Sequence, residues 1–125
     1  MALRHAFCIA AASYTRPGDP LRLDCGYRPN GVIRMFHAVS LEGDSELAKV
    51  LAFSVPALTE GVRRLENADL ELTAVVEPLR EAVGEAEHED QYRFAVETME
   101  ARKIRVLTTS DMGRVAETAR RELRV

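Results

Sequence analysis

Several groups of side chains in this sequence have types and spacings that could do chemistry. Glu85-Ala86-Glu87-His88 contains a Glu-x-x-His pattern, with Glu81 one helical turn earlier. On a helix, residues three and four apart share a face, so Glu81, Glu85 and His88 could ligate a divalent metal, as carboxylate-rich bundles do. Those bundles draw the motif from two helices, and here it occurs once. The competing reading is a solvated acidic face carrying an exposed His. The expectation is therefore no bound metal and no cofactor.

Cys25 and His37 form a second group. A thiol beside an imidazole could be a nucleophile and its base, and with His5 and Cys8 such groups could hold zinc. The spacing matches no zinc pattern, and a lone His among apolar neighbours is ordinarily a satisfied core residue. Arg22, Arg28 and Arg34 form a third group, with Tyr14, Arg16 and Phe36 near in sequence. Cations beside aromatic rings could bind nucleic acid or another anion. Asp24 interrupts the set, and a formal net charge of -3 gives no strong pull on nucleic acid. Ser110-Asp111, after a short apolar stretch, could bind an anion at a helix start. No glycine-rich loop precedes it, so a plain N-cap is the simpler reading.

These residues need elements to position them. Residues 20 to 41 read as a β-hairpin about Arg28-Pro29-Asn30-Gly31. A three-residue loop, Pro29-Asn30-Gly31, places Tyr27 opposite Ile33, Cys25 opposite Met35 and Leu23 opposite His37, all on one apolar face. That register expects Gly31 at positive φ. The second face then carries Arg22, Asp24, Arg28, Arg34 and Phe36.

Residues 3 to 14 are apolar on nearly every position, as in a strand covered on both sides. Residues 46 to 55 fit strand or helix. Pro56 disfavours helix at Val55, which tips the balance to a strand followed by a helix over 56 to 66. Gly61 weakens that helix by roughly 1 kcal/mol against Ala. Residues 70 to 76 alternate as a strand, with a helix close behind as the alternative. Residues 79 to 102 are helical, with a bend at the polar run from Glu85 to Gln91. Residues 104 to 108 form a short strand. A last helix, capped by Ser110 or Asp111, buries Met112, Val115, Ala119 and Leu123.

The 125 residues suggest one domain, 1–125, of mixed α+β class: an antiparallel sheet built on the 20–41 hairpin, then helices and a C-terminal βα unit. Cys8 and Cys25 read as buried free thiols of a reducing cytoplasm. The Arg and Ala excess over Lys, of which only Lys49 and Lys103 occur, reads as a bacterial-like composition bias. No run spans a membrane, and the N-terminus matches a secretion signal only in part.

Composition and pattern point to a non-enzymatic protein-interaction or regulatory module that self-associates. The alternatives are a small enzyme using the Cys25/His37 region and nucleic-acid binding by the Arg face. Val32, Phe36 and Ala38 interrupt the polar alternation around Arg34, so something covers that face as well. Either the C-terminal helix or a second subunit could do so. Arg with aromatic residues resembles interface composition. A homodimer with Val32, Arg34 and Phe36 at the contact is the expectation.

Overall fold

The computed structural model describes residues 7–41, 46–77 and 86–123. In chain order these form β1 (Phe7–Ala10), a 3-10 turn (Ala11–Ser13), β2 (Arg22–Tyr27), β3 (Val32–Val39) and α1 (Glu46–Glu66). There follow β4 (Asp69–Val76), α2 (Ala86–Glu100), β5 (Arg105–Thr108), a second 3-10 turn (Thr109–Asp111) and α3 (Met112–Leu123). The strands lie in one sheet in the order β1-β2-β3-β4-β5. β1 pairs antiparallel with β2, and β2 with β3. β3 pairs parallel with β4, and β4 with β5. The α+β class is as expected, but the sheet is mixed. Its second half consists of two successive β-α-β crossovers, since parallel neighbours need a long connection and α1 and α2 supply it.

The register of β2 on β3 differs from the one the alternation predicts. Tyr27 lies opposite Arg34, Gly26 opposite Met35 and Cys25 opposite Phe36. The cause is a bulge in β2. Ile9 faces Leu23 but Phe7 faces Gly26, so Cys8 alone on β1 opposes Asp24 and Cys25 on β2. The extra residue reverses the alternation of faces. Leu23 therefore enters the core at 1% exposure, while Cys25 and Tyr27 turn to the opposite side of the sheet. Gly26 sits where Ile9 Cδ1 occupies the space of a Cβ. Gly31 does not take positive φ; among the described glycines Gly18 does, at 92°. The Gly31 carbonyl instead accepts the Asp69 N–H at 2.9 Å, which starts the ladder between β3 and β4.

The in-register pairs assign the two faces. One carries Ile33, Met35, His37 and Val39 with Leu72, Ala74 and Val76, against Ala48, Leu51, Leu58 and Val62 of α1 and Ala95 and Met99 of α2. The other carries Cys25, Tyr27, Arg34, Phe36, Glu71, Thr73, Arg105 and Leu107, and α3 lies over it. Both faces are thus covered, the second by the chain's own C-terminal helix. This is why β4 is buried at five consecutive positions, Leu72 to Val76, where the sequence reading has it alternate.

Residues 46 to 66 form one helix with Pro56 inside it, in place of the strand and helix expected. Ala48, Leu51, Ala52, Leu58, Gly61 and Val62 are its buried residues, an apolar stripe at helical spacing that continues across the proline. Pro56 itself is exposed, so its ring faces solvent and the stripe's burial outweighs the lost backbone bond. Gly61 is more than a weak point. The backbone carbonyl of Tyr14 lies where its Cβ would be, so the turn after β1 closes directly on α1.

Asn67, with φ of 51°, ends α1, and Lys103, with φ of 64°, ends α2. The N–H of Ile104 reaches back to the Met99 carbonyl at 3.1 Å. β1 ends at Ala10, before the apolar run does, because Ala11–Ser13 turn. Residues 1–6 and 78–85, with the expectations that fall on them, lie outside the described residues.

Candidate functional site

Between α3 and the sheet lies a cavity of about 380 Å³. Its polar wall is built around Arg34. The 3-10 turn after β5 sends α3 back across the sheet and brings Glu122 over β3. Arg34 Nη2 lies 3.1 Å and Nε 3.3 Å from Glu122 Oε2. Arg34 Nη1 pairs with Glu71 Oε1, its in-register neighbour on β4. Arg105 Nη1, on β5, donates to the same Glu71 oxygen at 3.1 Å. Tyr27 Oη donates to Glu122 Oε1 at 2.6 Å. Tyr27, Glu122, Arg34, Glu71 and Arg105 are thus one continuous network.

The network shifts its members in coherent directions. Desolvation pushes the Glu71 carboxyl up, but the hydrogen bonds and charges of Arg34 and Arg105 together outweigh it and hold the group below its usual range. Desolvation favours a neutral Arg34, yet Glu71 and Glu122 overcome that and raise its pKa. Burial first, then the hydrogen bond to Glu122, push the Tyr27 hydroxyl well above its ordinary value. Farther along, Asp111 accepts from the Thr108 N–H at 3.2 Å and from Arg114 at 2.6 Å. Thr108, not Ser110 or Asp111, stands at the N-cap position of the turn that leads into α3.

The structure places the other sequence candidates as follows. Phe36 stacks on Tyr27, with planes 6° apart and centroids 6.1 Å apart, and both line the cavity. Arg34 and Phe36 therefore meet the chain's own α3, the first of the two coverings that the sequence allows for this face. Val32 is half-buried on the same strand. Arg22 is exposed. Arg28 turns to the end of α1, where it donates to the Glu66 carbonyl at 3.2 Å. Arg22, Arg28 and Arg34 do not form a joint cationic surface, since Arg28 and Arg34 are held by carboxylates and carbonyls.

Cys25 and His37 fall on opposite faces of the sheet, so the apolar face they share in the sequence reading does not exist. Burial, then Asp24 and Cys8, raise the Cys25 thiol pKa, the reverse of what an activated nucleophile needs. His37 Nδ1 lies 3.4 Å from Asp24 Oδ2 without the geometry of a hydrogen bond, and Asp24 gives its stronger contact, 2.7 Å, to the Ala38 N–H. Cys8 is exposed, not buried. Glu81 and Glu85 lie outside the described residues, which also leave out the His88 side chain. Among the described residues no group of three or more His, Cys, Asp or Glu could hold a metal ion. No described helix is long and apolar enough to cross a membrane.

A second feature escaped the sequence reading. On the outside of α1, Phe53 is 85% exposed and Val50 46%. They border an open cleft of about 630 Å³ whose other walls are the Thr15–Leu21 loop, Leu47 and Ala57. On α2, Phe94 is 55% exposed, with Lys49 Nζ of α1 5.6 Å from its ring centroid. Read alone as a helix, residues 46 to 55 put Leu47, Val50, Leu51 and Ser54 on one face; the buried stripe of the full helix runs instead through Ala48, Leu51, Ala52, Leu58 and Val62 and leaves Val50 and Phe53 outside. Comparison with protein-family models, with curated proteins and with solved structures finds no match.

Proposed function

We propose that the chain is a non-enzymatic protein-interaction module that self-associates through the outer face of α1. The observation that carries this reading is Phe53, a large aromatic side chain 85% exposed beside an apolar cleft. Exposed apolar surface of this kind marks interaction sites. The patch holds both a projecting ring and a recess on one surface. A two-fold axis brings each ring to the other copy's recess, which is the self-complementarity that an isologous contact requires. The separation of Cys25 from His37, and the ion pairing of the charged groups under α3, favour a binding role over catalysis.

Light scattering at micromolar concentration tests this. The wild type is expected to give a dimer mass, and Phe53→Asp a folded monomer whose melting temperature, unlike the wild type's, does not depend on protein concentration. Phe36→Asp is expected to unseat α3 and lower the melting temperature, with the dimer mass retained. A monomeric wild type, or a dimer lost through Phe36→Asp and kept through Phe53→Asp, overturns the assignment.

A further inference from the structure

The cavity beneath α3 shares no lining residue with the α1 cleft, and self-association through α1 does not use it. Its carboxylates already have donors. Glu122 accepts from Tyr27 and Arg34, Glu71 from Arg34 and Arg105, and Asp111 from Thr108 and Arg114. The donors are less used. Arg105 and Arg114 each give one hydrogen bond to a carboxylate, and a guanidinium carries five N–H groups. Their side chains are 57% and 86% exposed. The spare hydrogen-bonding capacity of the wall is therefore that of a donor. It matches a carboxylate or a similar acceptor-rich anion.

The cavity also has an apolar strip among its polar groups. Phe36 and Leu107 on the sheet and Val115 on α3 line it, and all three are only half-buried. The Phe36 ring in this lining is held by stacking on Tyr27. The volume of about 380 Å³ lies within the range of small-molecule sites.

We infer that this cavity binds a small aromatic acid, with its ring against Phe36, Leu107 and Val115 and its anionic group on Arg105 and Arg114. The hydrogen bonds that Tyr27 and Arg34 donate to Glu122 keep α3 in place as the outer wall.

Calorimetry with naphthoate, naphthamide and octanoate, together with methyl NMR, tests the site. Naphthoate is expected to saturate and to shift the Leu107 and Val115 methyl resonances. Naphthamide, which lacks the charge, is expected to bind roughly tenfold or more weakly, the worth of one charge-assisted hydrogen bond. Arg114→Gln, at an exposed position, should weaken naphthoate and leave naphthamide unchanged. Failure of naphthoate to saturate in the millimolar range overturns the site. So do equal affinities for acid and amide, or shifts confined to Leu47 and Val50 of the other cleft. Octanoate binding as tightly as naphthoate overturns the aromatic part of the assignment.

Discussion

Tyr27 Oη and Glu122 Oε1 are joined by a 2.6 Å hydrogen bond across 95 positions of chain. With Arg34 it is the polar tie that holds the end of α3 on the sheet, since Val115 and Ala119 on that helix are only half-buried. Tyr27→Phe removes a hydrogen bond to a charged acceptor and is expected to cost about 1.5–3 kcal/mol in urea unfolding. The loss should be local. Hydrogen exchange should rise over residues 112–123 and stay unchanged in β3 and β4. Uniformly faster exchange would mean that α3 is not a separately opening unit.

The pH dependence has two limbs. The Glu71 pKa is depressed in the folded state, so its stabilisation is present above the ordinary carboxylate value of 4.5 and is lost as pH falls through the folded value. Glu71→Gln should flatten the acid limb of a plot of stability against pH. The Tyr27 pKa is raised, so its stabilisation is present below the ordinary 10.0 and is lost as pH climbs above it. Tyr14 and Tyr92 are raised as well, so Tyr27→Phe should remove only part of the alkaline limb.

Two glycines in helices should respond with opposite sign to the same change. Gly61→Ala drives a methyl group into the Tyr14 carbonyl. It should destabilise by about 1–3 kcal/mol despite better helix propensity. At Gly113 in α3 nothing lies within 4 Å of an added Cβ, so Gly113→Ala should stabilise by about 0.5–1 kcal/mol. Thermal melts of the two variants check both. A neutral Gly61→Ala would show that the turn after β1 can move away.

Lys103 holds φ of 64° at the end of α2, a conformation that costs a residue with a Cβ and costs glycine nothing. Lys103→Gly should raise stability by about 0.5–1 kcal/mol in denaturant titration. Lys103→Ala, which keeps the strain, should not.

Much of this architecture was legible in the sequence. The strand over 70 to 76, the short strand over 104 to 108 and a last helix beyond Asp111 stand where turn residues and periodicity put them, although Met112, expected on that helix's buried side, is 40% exposed. So does the apolar set Ile33, Met35, His37 and Val39, and the inference that both sheet faces are covered. What failed had identifiable physical causes. The hairpin register assumed unbroken period-two alternation through β2. The Asp24–Cys25 bulge breaks it, so Leu23 and Tyr27 point to opposite faces although they are four residues apart. The proline at 56 argued against a helix at Val55. Burial of Ala48, Leu51 and Ala52 before it and of Leu58 and Val62 after it overrode that local preference. The Arg34 network could not be read at all, because Glu122 reaches it only through the return path of α3.

The spatial order of the five strands is also their order along the chain. Each strand can therefore add to the edge left by the one before it, with no earlier segment waiting for a later partner to slot between. Assembly during synthesis can advance strand by strand from the N-terminus, and every sheet pairing closes a comparatively short loop. The longest side-chain closure among the described residues is the return of Glu122 to Tyr27 and Arg34, 95 and 88 positions back. It becomes available only when the last turns of α3 have been made, so a chain halted just short of residue 122 carries its whole sheet but lacks the fastening of its final helix.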